Sequence, residues 1–311
     1  MRTLITGSVA YDTIMVFPDR FRNHLLADQL HILNVCFLTP EMRREYGGCA
    51  ANIGYNLKML GGDPLVMATV GDDIGPYLDR LAGQGLSSSH LKKIAGQFTA
   101  QAFITTDLDN NQIIAFHPGA MNFSHENRID GSLGAKLAII APDGKGGMLQ
   151  HAHECAAAGI PFVFDPGQGL PMFSGPELEE FVRLADYVAV NDYEGKMLEE
   201  KTGSSLEAMA RSVKALILTL GSQGSVIFAN GQRHEIPIVK AGAILDPTGC
   251  GDAYRAGLLY GITNDWDWPS TGRLGALMGS IKIEQRGAQN HRATTQEITE
   301  RFKREFSYSP W

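Results

Sequence analysis

The most informative stretch of the sequence is residues 246–257, which read DPTGCGDAYRAG. Its small residues, among them Gly249, Cys250 and Gly251, allow a backbone to come close to a ligand. A helix is expected to begin here, and the first turn of a helix has N–H groups without an intrahelical acceptor. This combination is typical of an anion-binding site.

Asp252 lies within this predicted anion site. A carboxylate in that position is suited to accept a proton while the neighbouring amides hold phosphoryl charge. The alternative is a glycine-rich turn in which Asp252 caps the helix, because aspartate is common at helix N-termini. The local string by itself leaves both interpretations open.

On both sides of this string, predicted strands alternate with predicted helices. We expect strands at residues 3–9, 65–70, 137–141, 162–164, 187–190 and 215–220. We expect helices at residues 49–60, 74–84, 176–184, 206–212, 254–262 and 272–284. Such alternation predicts an α/β fold with a mainly parallel central sheet that is covered by helices on both faces.

Residues 14–37 and 98–116 depart from this rhythm, because apolar, polar and aromatic residues alternate in them. In the second stretch, the segments 100–106 and 112–117 flank Asp109-Asn110-Asn111, which is a hairpin pattern. Such β segments do not fit inside a parallel sheet, so we expect them to form a small β lid at one edge.

No repeat, low-complexity tract or linker divides the chain. We therefore predict a single α/β domain over residues 1–311, with lid segments inserted at about residues 12–40 and 97–118.

The composition limits the class of protein. The chain has 311 residues, of which 44% are hydrophobic and 20% are charged, as in an ordinary globular protein. The formal net charge of −7 contains no basic excess, which argues against nucleic acid as the main ligand. No apolar run approaches the roughly 18 residues that would indicate a membrane span.

Cysteine use and the N-terminus indicate a cytoplasmic location. The four cysteines, Cys36, Cys49, Cys155 and Cys250, form no C-x-x-C pair, so we interpret them as free thiols in a reducing compartment. The first apolar stretch is too short for a signal peptide and is interrupted by Asp12, so a buried strand fits it better.

Several other ligand motifs are absent or incomplete. The first strand–helix turn lacks G-x-G-x-x-G, and no G-x-x-x-x-G-K-[ST] string is present, which argues against a Rossmann oxidoreductase and a P-loop kinase. The acidic run from Asp107 has Gln112 at its sixth position and Pro118 at its twelfth, so a hairpin turn is favoured over a calcium loop. His151 and His153 would point about 200° apart on a helix, so a solvent-facing helix is favoured over a metal site.

Residues 246–252 closely resemble the second signature of the ribokinase (PfkB) family of carbohydrate and nucleoside kinases, D-T-x-G-A-G-D. Pro247 and Cys250 depart from the usual Thr and Ala, but the glycines and Asp252 are kept. Five further landmarks follow in the family's order. They are GSVAYD at 7–12, GGCAAN at 47–52, NDYE at 191–194, TLGSQG at 219–224 and RGA at 286–288. The resemblance implies a ribokinase-like three-layer αβα sandwich with a small β lid.

Within the family, the strings at 37–49, 106–112, 116–121 and 164–169 resemble the bacterial and archaeal nucleoside kinases, often labelled adenosine kinases, more than the ribokinases. The resemblance implies an ATP- and Mg²⁺-dependent kinase that phosphorylates the 5′-hydroxyl of a ribonucleoside by in-line transfer. A sugar kinase acting on ribose, fructose or a related sugar is the near alternative. A non-catalytic protein that uses the same fold to sense a nucleoside or hold a partner is the distant one.

The resemblance assigns the reacting groups. Asp252 would be the catalytic base, and the amides of Gly249, Cys250 and Gly251 would form the anion hole that holds the phosphoryl charge. Asp246 and Asp165 are expected to support this region.

The resemblance also assigns the sugar contacts. Asp12 would accept hydrogen bonds from adjacent sugar hydroxyls. Gly48 and Asn52 would hold the same sugar from the opposite side, and Gln168 is expected to reach the edge of the substrate.

Two aromatic residues of the predicted lid, Phe103 and Phe116, could stack on a nucleobase. They could equally form the hydrophobic face of the lid itself, since alternating aromatics are usual on a half-buried sheet.

The nucleotide contacts follow from the resemblance too. Asn191, Thr219, Gly221 and Gly224 would contact ATP. Asn191 and Glu194 would organise the water molecules around Mg²⁺, because this ion keeps several of them. The alternative for this pair is a helix N-cap with its third-position acid.

The expected ligands are therefore ATP, Mg²⁺ and a small nucleoside or sugar, with no nucleic acid and no membrane. The preferred base and the need for a monovalent cation stay open. A homodimer is a further hypothesis, because the exposed strand edges of a lid tend to be covered.

Overall fold

The computed structural model describes residues 1–25, 34–109 and 111–311. Its strands are β1 (Arg2–Thr6), β2 (Ala10–Val16), β3 (Glu41–Gly47), β4 (Asp63–Val70), β5 (Leu91–Lys93), β6 (Ala100–Thr106), β7 (Gln112–His117), β8 (Leu137–Ile140), β9 (Phe162–Phe164), β10 (Tyr187–Asn191), β11 (Ala215–Thr219), β12 (Ser225–Ala229) and β13 (Gln232–Ile236). Its α-helices are α1 (Cys49–Met59), α2 (Gly75–Gly83), α3 (Lys145–Ala158), α4 (Gly175–Leu184), α5 (Asp192–Thr202), α6 (Leu206–Ala210), α7 (Cys250–Thr263), α8 (Trp268–Ile283) and α9 (Thr295–Phe306).

The larger sheet has nine described strands in the order β13-β12-β11-β10-β9-β8-β1-β4-β5. All its pairs from β11 to β5 are parallel, and only β12 and β13 run antiparallel. The central strands are short apolar runs because both of their faces are buried. The predicted mainly parallel sheet is confirmed.

Helices cover both faces of this sheet. Successive side chains of a strand point to opposite faces, and in β1 they enter two different cores. Leu4 belongs to the buried cluster that contains Phe181 of α4. Ile5 belongs to the cluster that contains Ile53 of α1 and Leu258 of α7. The predicted three-layer αβα sandwich is therefore confirmed.

The smaller sheet has four described strands in the order β3-β2-β6-β7. The predicted hairpin is confirmed, since β6 and β7 pair antiparallel over the expected segments. Part of the first expected lid segment, residues 26–33, and Asn110 of the predicted turn lie outside the described residues. The division into one domain with a lid, and a dimer through lid edges, stay predictions.

Among the boundaries that differ from those expected from the sequence, two lie close to the candidate site. The first strand ends at Thr6 instead of residue 9, because Ser8 turns away to accept hydrogen bonds from the N–H groups of Cys49 and Ala50 at the start of α1. Helix α7 begins at Cys250, before the predicted start at residue 254. Its first turn is made of small and polar residues, so apolar periodicity gave no signal there.

The histidines of α3 differ from the expected solvent-facing arrangement. His153 is exposed, as expected, but His151 is buried, with Nε2 3.2 Å from the carbonyl oxygen of Asn127. Within the described ranges, no group of three or more His, Cys, Asp or Glu side chains is placed to hold a metal ion. The four cysteines are free thiols, as predicted. None of the described helices is long and apolar enough to cross a membrane.

Candidate active site

The residues singled out in the sequence meet at the carboxyl edge of the parallel sheet. Asp165 directly follows β9, and Asn191 and Thr219 are the last residues of β10 and β11, where they pair in register. The N-terminus of α7, which contains Asp252, lies at the same edge, since its neighbour Arg255 bonds to Asp165. Ligands of open α/β sheets bind in this position.

The loop before α7 is held by the late R-G-A turn. The carboxylate of Asp246 accepts hydrogen bonds from the N–H groups of Thr248 (2.9 Å) and Gly287 (2.8 Å). Burial acts to raise the pKa of Asp246, but these two donors lower it overall. Gly249 has a φ of 80°, and a Cβ there would lie 2.8 Å from the Cβ of Ala288, so only glycine fits. Two motifs distant in sequence thus form one rigid loop.

The free amides of this loop differ in part from those predicted. Among the described residues, the N–H groups of Gly249, Gly251 and Asp252 have no hydrogen-bond acceptor. The N–H of Cys250 instead donates to the carbonyl oxygen of Pro247 at 3.1 Å. The Cys250 amide therefore has an acceptor within the turn whereas the amide of Asp252 has none, and the predicted anion hole of Gly249, Cys250 and Gly251 stays a prediction.

The carboxylate of Asp252 faces α1. Its Oδ2 accepts a hydrogen bond of 2.8 Å from Nδ2 of Asn52. Burial raises the pKa of Asp252 to about 6, with the hydrogen bond from Asn52 acting in the opposite direction and Asp165 adding to the rise. A carboxylate with such a pKa is ionised at neutral pH and is still basic enough to take a proton.

A buried ion pair fixes α7 against the sheet. The guanidinium of Arg255 donates to Asp165 through Nε (3.1 Å) and Nη2 (3.0 Å), and both side chains are less than a tenth exposed. Burial alone would lower the pKa of Arg255, but the carboxylate of Asp165 raises it overall. Because Arg255 lies one helical turn after Asp252, this bidentate pair sets the position of the candidate base.

Asp12 lies in β2 of the smaller sheet. Its carboxylate is beside the backbone of Gly47, where a Cβ would lie only 2.5 Å from Oδ2. Burial raises the pKa of Asp12 to about 6, and Glu45 and Asp246 add to the rise. The carboxylate can accept hydrogen bonds from two adjacent hydroxyls.

Gly48 joins β3 to α1 at a close approach. Its φ is 90°, and a Cβ would lie 2.6 Å from both the nitrogen of Ala10 and the carbonyl oxygen of Ser8. This contact brings α1, and with it Asn52, against the beginning of β2. The predicted sugar-binding residues Asp12, Gly48 and Asn52 are thus brought together.

The two predicted stacking residues lie on opposite faces of the smaller sheet. Residues paired in register across strands share a face, and Asp12 pairs with Ala102, which pairs with Phe116. Phe103 instead pairs with Thr13 on the other face. The register therefore places Phe116, but not Phe103, on the face that contains Asp12, and stacking of either ring on a base stays a prediction.

The proposed nucleotide residues lie along β10, β11 and the turn that follows. Asn191 and Glu194 form a capping box at the start of α5: each side chain accepts from the other's backbone N–H, at 2.8 and 2.7 Å. Burial raises the pKa of Glu194. Gly221 and Gly224 have φ values of 56° and 91° in the turn after Thr219. The capping role is present in the structure, and contacts to ATP or Mg²⁺ stay predictions.

Gln168 is exposed in a short 3₁₀ segment, Gly167–Met172, that follows Asp165. It makes no side-chain hydrogen bond to a described residue, so its predicted contact with the substrate edge also stays a prediction.

Sequence reasoning missed three buried residues of the site. Arg255 is a charged residue in an otherwise small and apolar helix, one turn after Asp252, and that spacing could have indicated it. Gln289 donates hydrogen bonds to Asn52 and to Tyr77, and each of these two residues is more than 200 positions away from Gln289 in the sequence. Only the tertiary structure brings Gln289 and Tyr77 to the site.

Comparison with known proteins agrees with the resemblance found in the sequence. The profile of the pfkB family carbohydrate kinases matches residues 9–295. A nucleoside kinase of Methanocaldococcus jannaschii is 32% identical over 273 residues, which cover 87% of this chain and 90% of that protein. The structure of Burkholderia thailandensis nucleoside kinase in complex with inosine is 52% identical, has a TM-score of 0.91 and covers 99% of both chains. The same kinase in complex with ADP-inosine has a TM-score of 0.88 at 53% identity, over 99% of this chain and 97% of that one.

We expect the Asp165–Arg255 pair to be worth far more to stability than an exposed pair. Asp165→Leu should lower the free energy of unfolding by about 3–5 kcal/mol, because it leaves the Arg255 charge buried without a partner. The double variant Asp165→Leu/Arg255→Met should regain much of this loss. Urea denaturation of the single and double variants measures the coupling.

The exposed pair Glu180–Arg183 is the control, and the same cycle there should give less than about 1 kcal/mol. Equal losses at the two pairs would show that the buried pair does not anchor α7.

Proposed function

Because the chain belongs to the pfkB family of carbohydrate kinases, we propose that it phosphorylates the 5′-hydroxyl of a nucleoside with ATP as donor. The proposal depends on one juxtaposition: the carboxylate of Asp252 and the free amides of α7 lie together at the carboxyl edge of the sheet. The likeness to nucleoside kinases, one of them bound to inosine, favours a nucleoside as acceptor.

Asp252 would act as the general base. It would take the proton of the 5′-hydroxyl as that oxygen attacks the γ-phosphorus and the bond to the β-phosphate oxygen breaks. The leaving ADP carries away the electron pair, so no phosphoenzyme is needed. Its pKa of about 6 keeps Asp252 ionised before the reaction.

The amides of Gly249, Gly251 and Asp252 would stabilise the charge on the transferring phosphoryl group. They are held before the substrate arrives, because Asp246 and the turn at Gly287 fix the loop. Each preorganised donor of this kind is worth roughly 2.7–4 kcal/mol in the transition state.

The sugar would lie between the two sheets. Asp12 would accept hydrogen bonds from the 2′- and 3′-hydroxyls, which puts the 5′-hydroxyl on the side of Asp252. Asn52 uses one of its two amide hydrogens for Asp252, so the other remains for a sugar oxygen.

The base would lie against the face of the smaller sheet that contains Asp12. In register on that face are Ile14, Ile104, Ile114 and Phe116. Strand β3 adds the charged Glu45 and Arg43 to the same face. The four apolar side chains support a nucleoside over a free sugar, because a free sugar has no base to bury against them.

Mg²⁺ is expected from the family, and the site fits an ion held through water. Both carboxylate oxygens of Glu194 already accept from Asn191, and among the described residues no group of three or more His, Cys, Asp or Glu side chains is placed to hold an ion. Asn191 and Glu194 would therefore orient its water molecules. When bound with ATP, the ion would neutralise charge on the phosphates.

Asp252→Asn should lower kcat by about 10²–10⁴-fold with KM for the nucleoside little changed, because it removes the base and keeps the shape. ATP-to-ADP turnover would be measured with adenosine, inosine, guanosine and cytidine, and with ribose and fructose. Asp79→Asn, at an exposed carboxylate of α2, is the control and should leave turnover unchanged. Turnover with free sugars alone would replace the nucleoside by a sugar, and full activity of Asp252→Asn would exclude the assigned base.

The pH profile should report two carboxylates. The pKa values of Asp12 and Asp252 are both raised to about 6, so each is ionised above pH 6 and gains a proton below it. Activity should therefore rise with pH, and below pH 6 log(kcat/KM) should fall with a slope of about two. In Asp12→Asn the slope should be about one. A slope of one in the unchanged protein would contradict the shared role.

The two lid aromatics form a matched pair for testing base recognition. Phe116→Ala should raise KM for inosine about 5-fold or more, because stacking on a base is worth about 1–3 kcal/mol. Phe103→Ala, on the opposite face, should leave KM for inosine nearly unchanged. Equal effects of the two substitutions, measured by initial rates, would show that the base does not lie on the Asp12 face.

A further inference from the structure

A chain of buried hydrogen bonds runs from the backbone of Gly47 to the candidate base. The hydroxyl of Tyr77 donates to the carbonyl oxygen of Gly47 at 2.6 Å. Nε2 of Gln289 lies 2.7 Å from the Tyr77 oxygen and 2.9 Å from Oδ1 of Asn52. Nδ2 of Asn52 then donates to Asp252. The side chains of Asn52, Tyr77 and Gln289 are all more than nine-tenths buried.

The direction of this chain is fixed at its first member. A backbone carbonyl only accepts hydrogen bonds, so the Tyr77 hydroxyl must give its single hydrogen to Gly47. The Tyr77 oxygen can then only accept from Gln289, which turns the NH₂ group of Gln289 inward. The second hydrogen of that NH₂ group requires an acceptor, and Oδ1 of Asn52 supplies it.

The orientation of the Asn52 amide follows from the direction of these hydrogen bonds. Because Oδ1 of Asn52 accepts from Gln289, the NH₂ group of Asn52 faces the carboxylate of Asp252. If the amide were turned over, Oδ1 would face Asp252 and repel its charge.

We propose that Gln289 is a positioning residue for phosphoryl transfer, which orients the Asn52 amide so that it donates to the base Asp252. The inference rests on the proposed role of Asp252. Gln289 directly follows the R-G-A turn that braces the anion loop. One turn therefore holds both the loop that carries the amides and the residue that orients Asn52.

The groups around Asp252 decide what loss of this donor would do. Asp165 and Asp12 face it from β9 and the smaller sheet, Arg255 and Cys250 from its own helix, and Cys49 from α1. Burial raises the pKa of both thiols and so keeps them neutral, while Asp165 and Arg255, which bond to each other, act on the pKa of Asp252 in opposite directions. Asn52 is the hydrogen-bond donor to the Asp252 side chain among these described groups.

Gln289→Met keeps the length of the side chain and removes both donors. The acid limb of the pH profile of kcat should move up by about one to two pH units, because a hydrogen bond to a charged group is worth about 1.5–3 kcal/mol. At pH 7, kcat should fall about 2- to 10-fold, and at pH 9 it should return to within about twofold of the unchanged protein. KM for inosine should change little.

Gln150→Met is the matched control. The side chain of Gln150, on α3, donates to the carbonyl oxygens of His125 and Asn127 at 3.0 Å each and makes no hydrogen bond to the chain of donors. Its acid limb should not move. Tyr77→Phe is the second test variant, since it keeps the ring but removes the acceptor that orients Gln289. The acid limb of the pH profile of Tyr77→Phe should also move up. If Gln289→Met does not fold, the positioning role depends on this result alone.

The outcomes separate the inference from the proposed function. If Asp252→Asn loses turnover but neither Gln289→Met nor Tyr77→Phe moves the acid limb, the positioning role is wrong and the base stands. A loss of kcat that is equal at pH 7 and pH 9, or a change in KM alone, also overturns the positioning role. If Asp252→Asn keeps full turnover, the assigned base itself fails.

Discussion

The bidentate ion pair between Arg255 and Asp165 is the contact on which the site depends. It joins the second turn of α7 to the end of β9, and both groups are buried. Two charges removed from water attract each other enough only when the geometry is kept, so the pair tolerates little movement. Because Asp252 is one turn before Arg255, the same bond sets the distance of the base from the sheet. The free amides of the loop are placed by the same helix.

The charges of the site suit proton removal near neutral pH. Asp12, Asp165 and Asp252 lie close together, and Arg255 is already paired with Asp165. Burial therefore raises the pKa of both Asp12 and Asp252, and the hydrogen bond from Asn52 offsets only part of the rise at Asp252. A base of this kind is ionised at pH 7 but not so stabilised that it resists a proton. The phosphoryl charge would be met by backbone N–H dipoles, which do not titrate and so do not change with pH.

The two faces of the smaller sheet have different roles. One face places Tyr11 and Tyr46 against Tyr77 of α2, which fixes the sheet to the rest of the fold. The other face contains Asp12 and the apolar residues around Phe116. If the base lies on this surface, its contacts are dispersive and lack direction, so they discriminate weakly between bases. The sugar would be recognised more strictly than the base, since the Asp12 carboxylate would accept directional hydrogen bonds from its hydroxyls.

The sequence by itself determined the class of fold and predicted the residues that we propose to react. Alternating strands and helices predicted the parallel sheet, because strands buried on both faces leave short apolar runs between turns. The string DPTGCGDAYRAG predicted Asp252 and its glycine loop, because a ligand that approaches a backbone requires small residues in contiguous positions. These signals are local, and a single window of the chain contains them.

The tertiary structure decided what depends on distant contacts. It committed the Cys250 amide to Pro247, separated Phe103 from Phe116, and brought Gln289 and Tyr77 to Asn52. None of these could be read from the sequence, since strand pairing decides which face a residue occupies. A hydrogen bond between residues 52 and 289 likewise exists only once α1 and the turn before α9 have packed together. The proposed chemistry of the site can be predicted from one short sequence motif, whereas the orientation of its groups depends on the folded chain.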